Sequence, residues 1–437
     1  MSTYTELKKK IKEKKAVITV VGLGYVGLPI ALEFCEKGFT VNGFDTNVKR
    51  IKKLQKGTSY IHDVSSRSMR AVFSKGSFSA RSNDKVLSAS DVIIICVPTP
   101  LRKIKNPDIS YILCASRSLC KRMRPGQLVI VESTTYPGTT REVILPELEK
   151  SGLKLDRDFY LAFSPERIDP GNEKYGFAKI PKVIGGVTKK GTQLGRLLYS
   201  QIIKRVISVS SSEVAEVTKL LENTFRIVNI ALINEFAMLC GKLNIDVWEV
   251  IKAARTKPFG YMPFYPGPGI GGHCIPADPM YLSWKARTVG FRTNIVDLAA
   301  RINRLLPGYV VERVENLIES MDKKIKGTRI LVIGAAYKKD VNDLRESPAL
   351  EILETLEGRK AAVTYHDPYI PYLDLPGIRM KSRELSASFL KKQDIVLIVT
   401  DHSNLDYDMI ARNAKLIFDT RNAFEHSGIA GRNIVKL

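Results

Sequence analysis

Ala16-Val-Ile-Thr-Val-Val21 runs directly into Gly22-Leu-Gly-Tyr-Val-Gly27, and this stretch decides the fold of the 437-residue chain. The first six residues form an apolar, β-branched run that is typical of a buried strand. The glycines have the Gly-x-Gly-x-x-Gly spacing, which makes a tight turn, admits a pyrophosphate and packs the next helix closely. A helical stretch to about Lys37 and a second strand, Thr40–Phe44, ending at Asp45, complete a βαβ unit. The spacing predicts a dinucleotide-binding Rossmann domain.

The acidic end of the second strand favours NAD as the cofactor. The carboxylate of Asp45 would accept hydrogen bonds from the adenosine ribose and repel a 2′-phosphate. Lys49 and Arg50 follow closely and could attract that phosphate, so NADP stays open at this point. The predicted cofactor contacts in this unit are Gly22, Gly24, Tyr25, Val26, Gly27, Asp45 and Arg50.

Three more apolar runs, 91–97, 127–131 and 159–163, extend the sheet. They lack polar alternation, which indicates a parallel sheet covered on both faces. The loops after the first two runs lie where ligands bind in open α/β folds. These loops supply the cofactor candidates Pro98, Thr99 and Thr134, although their residue types also suit ordinary turns.

The composition is that of a soluble globular protein, with 44% hydrophobic and 26% charged residues. No run is long enough to cross a bilayer and the first fifteen residues lack a signal peptide's apolar region, so we expect a cytoplasmic protein without membrane insertion. The net charge of +23 raises the possibility of nucleic-acid binding. The basic residues are dispersed and lack interleaved aromatics, and an anionic substrate also suits a positive field. We therefore expect no nucleic-acid partner, no metal and no disulfides.

Apolar residues recur at helical spacing from about residue 210 to 241, which predicts a helix about 45 Å long. Strand-like runs return from Arg329 and echo the first unit. We expect an α/β fold with two Rossmann-like, doubly wound domains joined by a long central helix and a helical linker domain. The predicted domains are 1–208, which binds NAD, 209–325, which is helical and carries the cysteine described next, and 326–437.

Phe264-Tyr-Pro-Gly-Pro-Gly-Ile-Gly-Gly-His-Cys-Ile-Pro-Ala-Asp-Pro279 is a glycine-rich loop built around Cys274. Flanking glycines let a substrate approach closely, and local amides can stabilise a thiolate. His273 is adjacent in sequence and so points elsewhere, which argues against a cysteine-protease pair. Asp278, four residues on, could orient a water or a catalytic lysine. A structural cysteine in a glycine-proline loop is the alternative.

Two other segments carry candidate catalytic groups. Lys219 and Asn223 share a helix face beside the apolar stripe, where they could hold a developing oxyanion; the alternative is a lysine that snorkels to solvent. Glu166, in the loop after the strand at 159–163, could act as a general base for water. A solvated surface glutamate is the alternative there.

With these motifs in order, the chain resembles the UDP-glucose/GDP-mannose dehydrogenase family from about residue 16 to the C-terminus. The resemblance implies that the first Rossmann domain binds NAD, that the third domain binds the nucleotide of a UDP-sugar, and that the central helix forms a homodimer or higher homo-oligomer. It assigns Cys274 as nucleophile and Glu166 as general base. The implied catalytic set is Cys274, Lys219, Asn223, Asp278, Glu166 and Thr134.

The resemblance also implies substrate contacts. Lys338 and Arg345, in the segment 334–348, match positions near substrate and cofactor, with Arg345 assigned to the cofactor. Many members place an arginine sixteen residues before the cysteine, in contact with a partner's substrate, whereas this chain has Pro258; Arg255 or Lys257 is the nearest replacement. The implied substrate contacts are Arg167, Lys219, Asn223, Tyr265, Gly271, Lys338 and Arg255.

The residues around Cys274 resemble the N-acetylhexosamine branch of the family. The implied reaction is a four-electron oxidation of the C6 hydroxyl of a UDP-N-acetylhexosamine, UDP-GlcNAc, to a uronic acid through a cysteine thiohemiacetal and thioester. UDP-ManNAc and UDP-glucose are the alternative substrates. A two-electron hydroxyacid dehydrogenase also joins a Rossmann domain to a helical domain, but it needs neither the cysteine loop nor a second Rossmann-like domain. A nucleotide- or nucleic-acid-binding protein without catalysis would leave the cysteine loop unexplained.

Overall fold

The computed structural model describes residues 2–61, 64–101, 106–168, 179–272 and 274–437. The chain divides into two compact units. The first contains Met1–Glu222 and Met280–Phe291, and the second contains Asn223–Pro279 and Arg292–Leu437. The three-domain division at 208/209 and 325/326 stays a prediction.

The first unit is built on an eight-stranded sheet in the order β3-β2-β1-β4-β5-β6-β7-β8, in which neighbouring strands are parallel except for β6 and β7. The order of its first six strands, 3-2-1-4-5-6, is that of doubly wound dinucleotide-binding domains. The strands are β1 (Val17–Val21), β2 (Thr40–Phe44), β3 (Phe78–Arg81), β4 (Val92–Ile95), β5 (Gln127–Val131), β6 (Phe159–Phe163), β7 (Lys182–Gly186) and β8 (Val206–Ser208).

Helices cover both faces of this sheet. Alternate residues of β4 enter different apolar clusters, with Ile94 in one and Ile93 and Ile95 in the other, which explains why the strand is apolar throughout. The helices are α1 (Thr3–Lys12), α2 (Gly27–Glu36), α3 (Val48–Gln55), α4 (Ser66–Ser74), a 3₁₀ turn (Asp84–Leu87), α5 (Ser110–Cys120), a π-helical turn (Thr140–Ile144) that continues as α6 (Leu145–Glu149), and α7 (Lys189–Tyr199).

Four helices occupy the middle of the chain: α8 (Ser212–Leu243), α9 (Val247–Ala254), α10 (Cys274–Thr288) and α11 (Asn294–Glu319). Helix α8 matches the predicted long helix within two residues at each end. Within the described residues it is long and apolar enough to cross a membrane by length and composition alone, which is weak evidence for a single helix. The same features are found in helices that present an apolar face to another protein.

Part of the cysteine loop is helical. We expected a loop through Pro279, but α10 begins at Cys274 and includes both Pro276 and Pro279. The first four N–H groups of a helix have no intrahelical acceptor, so Pro276 in the first turn removes no hydrogen bond. Cys274 therefore lies at a helix N-terminus rather than in mid-loop.

The second unit contains a five-stranded parallel sheet in the order β10-β9-β13-β14-β15 and a separate antiparallel pair, β11 and β12. Apolar clusters again cover both faces. The elements are β9 (Arg329–Ile333), α12 (Pro348–Gly358), β10 (Ala362–His366), β11 (Tyr372–Leu375), β12 (Ile378–Lys381), α13 (Ala387–Lys391), β13 (Ile395–Ile398), α14 (Tyr407–Asn413), β14 (Ile417–Asp419), α15 (Ala423–His426) and β15 (Ile434–Lys436). The expected pair of Rossmann-like sheets is confirmed.

The two sheets make the same turn after their first strand. Gly22 follows β1 with φ +90°, and Gly334 follows β9 with φ +92°. A Cβ atom at Gly22 would lie 2.5 Å from the carbonyl oxygen of Cys96, and one at Gly334 would lie 2.5 Å from the amide nitrogen of Thr400. Glycine is thus required at both points where the strand order reverses, which is where ligands bind in such sheets.

Candidate active site

The glycine loop of the first unit has the shape that a dinucleotide needs. At Gly27, a Cβ atom would lie 1.9 Å from the carbonyl oxygen of Gly22, so the start of α2 packs directly on the turn. At Gly24, by contrast, a Cβ atom would meet nothing within 4 Å, so this side of the loop is open. The backbone can therefore approach a pyrophosphate beside the positive end of α2.

Asp45 lies at the end of β2 beside this loop. Its Oδ2 accepts a hydrogen bond from the Leu23 amide at 2.9 Å, and its Oδ1 accepts one from the Asn47 amide at 2.8 Å. Arg50 donates to Oδ2 at 3.4 Å. The structure therefore brings the predicted contacts Asp45 and Arg50 together, and Asp45 also holds the glycine loop in place.

Lys219 of α8 does not snorkel to solvent. Its side chain is buried, with the residue 8% exposed, and its Nζ donates to Thr134 Oγ1 at 2.5 Å. Thr134 lies in the loop after β5, at the ligand-binding edge of the sheet. Two predicted catalytic residues are thus in direct contact, and a buried ammonium group is available at that edge.

Glu216, one turn before Lys219, fixes α8 to the same loop. Its carboxylate accepts hydrogen bonds from the Gly138 amide at 2.6 Å, the Thr140 amide at 2.9 Å and the Thr140 hydroxyl at 2.6 Å. Burial raises the pKa of Glu216 to about 7, although these hydrogen bonds act to lower it. The carboxylate caps the helix that begins at Thr140 and holds α8 and the Thr134 loop in register.

Replacing Glu216 by alanine is expected to destabilise the protein by about 2–4 kcal/mol, because it leaves two buried amide N–H groups without an acceptor. Urea denaturation of the purified variant measures this loss. The matched control is Glu213→Ala in the same helical turn, where a half-exposed ion pair with Arg141 contributes less than about 1 kcal/mol. Equal losses in the two variants would contradict the anchoring role.

Glu166 is not a solvated surface residue. Its Oε1 accepts hydrogen bonds from the amides of Arg167 at 2.6 Å and Ile168 at 2.7 Å, and its Oε2 accepts one from Lys182 at 3.0 Å. Burial alone would raise its pKa, but the charge of Lys182 and these hydrogen bonds outweigh burial and hold the pKa below its usual value. Glu166 is therefore a buried, ionised carboxylate. Arg167 pairs through its guanidinium with Glu222 of α8 at 2.6 Å.

In the second unit, Cys274 is the exposed first residue of α10. The glycines before it pack against the loop that follows β9. The Gly272 amide donates to the carbonyl oxygen of Arg345 at 2.8 Å, and a Cβ atom at Gly271 would lie 2.5 Å from the Cβ of Tyr337. The cysteine segment and the segment that carries Lys338 are thus held together, as the predicted substrate site requires.

Asn223 and Asp278 are also brought together in this unit. The Asn223 Nδ2 donates to Asp278 Oδ2 at 2.7 Å, and both residues are buried. Because α10 makes one turn between Cys274 and Asp278, the carboxylate lies near the same helix face as the thiol. An amide and a carboxylate therefore lie one helical turn from the nucleophile candidate.

Three further predicted contacts, Tyr265, Arg345 and Arg255, lie in other parts of the second unit. Tyr265 stacks on Trp248 with ring centroids 6.2 Å apart, and Arg345 pairs with Asp343 at 2.6 Å. Arg255 is an exposed residue at the C-terminal end of α9. His273 and the segment 169–178 lie outside the described residues.

Family profiles match most of the chain. The profile of the UDP-glucose/GDP-mannose dehydrogenase family, NAD binding domain, matches residues 16–203, and the family's central domain and UDP binding domain match residues 213–305 and 331–426. The chain belongs to this family. The expected NAD cofactor and the resemblance are thereby confirmed, and the chain is a nucleotide-sugar dehydrogenase.

Individual members of the UDP-glucose/GDP-mannose dehydrogenase family are similar over nearly full length. A UDP-N-acetyl-D-glucosamine 6-dehydrogenase of Pseudomonas aeruginosa is 40% identical over 362 residues, which are 82% of this chain and 84% of that protein. The solved UDP-D-ManNAc dehydrogenase of Pyrococcus horikoshii is 34% identical with a TM-score of 0.86, covering 96% of this chain and 98% of that one. An NDP-N-acetyl-D-galactosaminuronic acid dehydrogenase of Methanosarcina mazei is 29% identical with a TM-score of 0.80, covering 100% and 97%. These relatives are named for three sugars, so similarity alone does not select one.

Two features of this dehydrogenase were missed from the sequence. Arg421, just after β14, donates to the Val399 carbonyl oxygen at 2.8 Å, and its guanidinium lies against Gly267 of the cysteine segment. Its position just after a strand, where ligands bind in such sheets, could have identified it as a candidate site residue. Lys182 and Glu132 lie buried beside Glu166, and no local pattern identified them because they come from different strands.

Proposed function

We propose that this dehydrogenase oxidises the C6 hydroxyl of a UDP-N-acetylhexosamine, UDP-GlcNAc, to the uronic acid in two NAD-dependent steps. The observation that carries the proposal is the exposed thiol of Cys274 at the N-terminus of α10, in a segment that contains Gly271 and Gly272. Free N–H groups and the helix dipole at such a position favour a thiolate. A thiolate can add to an aldehyde, which a simple alcohol dehydrogenase does not require.

Bound NAD⁺ supplies the hydride acceptor for each oxidation, and the glycine loop with Asp45 has the shape and charge to hold it. Lys219, hydrogen-bonded to Thr134, stabilises the developing alkoxide at C6 by its charge. The aldehyde then accepts the Cys274 thiolate as a thiohemiacetal. Loss of a second hydride from C6, with release of the hydroxyl proton to solvent, converts the thiohemiacetal into a thioester.

Hydrolysis of the thioester completes the reaction. Asn223 donates a hydrogen bond to Asp278. This hydrogen bond orients the Asp278 carboxylate toward the attacking water and the Asn223 amide toward the oxyanion. Glu166, an ionised carboxylate, takes the proton from water as it attacks the thioester carbonyl. The uronic acid is released and the Cys274 thiolate is regenerated.

The choice of N-acetylglucosamine is supported by the Pseudomonas aeruginosa relative and by the residues around Cys274. Relatives named for UDP-N-acetyl-D-mannosamine are 31–35% identical and keep that sugar as the competing substrate. UDP-glucose is the third candidate. Family membership argues against a two-electron hydroxyacid dehydrogenase.

The test is an NADH assay with UDP-GlcNAc, UDP-ManNAc, UDP-GalNAc and UDP-glucose. The expected result is two NADH per sugar consumed, with the highest kcat/KM for UDP-GlcNAc. One NADH per sugar at completion would reject the thioester route. A higher kcat/KM for another sugar would retain the chemistry and reject the substrate.

We further propose that the reaction takes place in the cytoplasm, where both NAD and nucleotide sugars are present.

We also propose that α8 forms a homodimer through its outer face. This face carries several apolar side chains open to solvent in the single chain, and Leu221 is 63% exposed. A contiguous apolar surface of this kind is typical of a protein interface. The exposed apolar residues of α8 are Val214, Val217, Leu221, Phe225, Leu232, Phe236, Leu239 and Leu243.

The double variant Phe236→Glu/Leu239→Glu is expected to be monomeric, because four carboxylates would be buried without partners at the two-fold interface. Light scattering coupled to size exclusion gives the mass directly. Tyr372→Glu on β11 is the control, since it changes an exposed aromatic residue on another element. A monomeric unmodified protein would refute the proposed interface.

A further inference from the structure

Two buried carboxylates in the first unit share one lysine. Lys182 Nζ lies 2.8 Å from Glu132 Oε2 and 3.0 Å from Glu166 Oε2. The lysine comes from β7, while Glu132 and Glu166 follow β5 and β6. All three residues are less than 10% exposed. The proposed reaction uses Glu166 but assigns no role to the other two.

A tyrosine hydroxyl and a cysteine thiol also border this cluster. The hydroxyl of Tyr199, at the end of α7, donates to the second oxygen of Glu132. Lys182 Nζ lies 5.2 Å from the centroid of the Tyr199 ring. The thiol of Cys96, after β4, also faces the cluster, and burial raises its pKa well above the usual value, so it is neutral.

Charge balance then determines how the cluster is protonated. One ammonium group offsets one buried carboxylate, and a second ionised carboxylate in the same pocket is strongly disfavoured. Glu166 accepts two backbone amide hydrogen bonds in addition to Lys182, so it is the carboxylate that stays ionised. Glu132 is the one that takes up a proton: burial raises its pKa to about 7, against the opposing charge of Lys182.

We propose that Glu132 and Lys182 are positioning residues for Glu166, and that the charge on Glu132 sets how strongly Lys182 holds the Glu166 carboxylate. This inference rests on the proposed function, in which Glu166 accepts the proton from the hydrolytic water. Lys182 fixes one oxygen of Glu166 and the backbone amides fix the other. Glu132 adjusts the basicity of that fixed carboxylate without touching the substrate.

The sign of the effect follows from the shared cation. With Glu132 protonated, the charge of Lys182 is no longer divided between two carboxylates and acts more strongly on Glu166, which makes Glu166 a weaker base. With Glu132 ionised, Lys182 is shared and the negative charge of Glu132 makes Glu166 a stronger base. Thioester hydrolysis is therefore expected to accelerate as the pH rises through about 7, where Glu132 loses its proton.

The first variant is Glu132→Gln, which keeps the shape of the side chain and removes its charge. Thioester decay at pH 8 is expected to slow on the order of tenfold, because the negative charge that weakens the hold of Lys182 on Glu166 is then absent at every pH. The inflection near pH 7 is expected to disappear. The measurement is the loss of the acyl group from Cys274 in single turnover between pH 5.5 and 9, followed by mass spectrometry of acid-quenched enzyme.

The second variant is Tyr199→Phe, which removes one hydrogen bond to Glu132 and leaves both carboxylates in place. The Tyr199 hydroxyl stabilises the charged form of Glu132, so its loss is expected to move the inflection to higher pH. In the double variant Glu132→Gln/Tyr199→Phe the phenylalanine is expected to change the pH profile no further. A merely structural role would lower the rate at every pH and would not produce this dependence.

The outcomes separate the inference from the proposed function. If the unmodified enzyme forms no NADH with any of the four UDP-sugars, the proposed function fails. If it forms two NADH per sugar and Glu132→Gln retains the inflection near pH 7, the role of Glu132 is overturned. Melting temperatures of the variants report on folding, and if Glu132→Gln is unfolded, the direction of the shift in Tyr199→Phe decides.

Discussion

Replacing Cys274 by alanine is expected to lower kcat for uronic acid formation by at least about 1000-fold, because the variant lacks the thiol that we propose forms the thioester. NAD binding and the first hydride transfer do not use the thiol, so NADH formation is expected to stop after the first oxidation. The measurement is NADH released per sugar, with the aldehyde trapped by an added amine and identified by mass spectrometry. Cys274→Ser should stall at the same stage or retain an ester.

The control for this variant is Cys114→Ala on α5, which removes another exposed thiol of the chain. It is expected to retain two NADH per sugar and an unchanged kcat. If the Cys274→Ala enzyme also completed both oxidations, the thioester route would be wrong and water would have to add directly to the aldehyde. The helix N-terminus at Cys274 would then require a different explanation.

Much of the first sheet was predictable from the sequence because its central strands are continuous apolar runs. The predicted strands at 127–131 and 159–163 coincide with β5 and β6. Both faces of these strands are buried, so their apolar residues follow one another without polar alternation and are easily recognised in the sequence. Strands β3, β7 and β8 were not predicted. Lys182 opens β7 with a buried charge, and a charged residue hides a strand from any pattern based on hydrophobicity.

The helix that begins at Cys274 could not be predicted from local preference. Glycines before Cys274 and prolines at 276 and 279 favour a loop, and the tertiary packing of Gly271 and Gly272 against the segment after β9 overrides that preference. The long helix α8 was predicted well, because its apolar spacing extends over many turns.

The candidate site shows the same division between local and long-range information. Spacing on one helix suggested that Lys219 and Asn223 act together, but it left open whether Lys219 reaches solvent. Only the fold places Lys219 on Thr134, 85 positions away in sequence. Lys182, the side-chain partner of Glu166, likewise comes from a separate strand, so the residue type and the strand-end position could be predicted and the ionisation state could not.

Replacing Lys219 by methionine is expected to lower kcat about 100- to 1000-fold, because the variant loses the buried group that we propose stabilises the alkoxide and the later oxyanion. Methionine retains the apolar stem, so α8 should stay packed against the Thr134 loop and the melting temperature should change little. Steady-state NADH formation gives kcat, and fluorescence titration with NADH tests that cofactor binding is retained.

Lys242→Met near the end of α8 is the matched control for Lys219, since it removes an exposed lysine from the same helix. Its kcat should equal that of the unmodified enzyme. Thr134→Val provides a second comparison: it leaves the Lys219 charge in place but removes its hydrogen-bond acceptor, so its loss of kcat should be smaller than that of Lys219→Met. If Lys219→Met kept full activity, Lys219 would be a structural partner of Thr134, and the charge that stabilises the oxyanion would have to come from another residue.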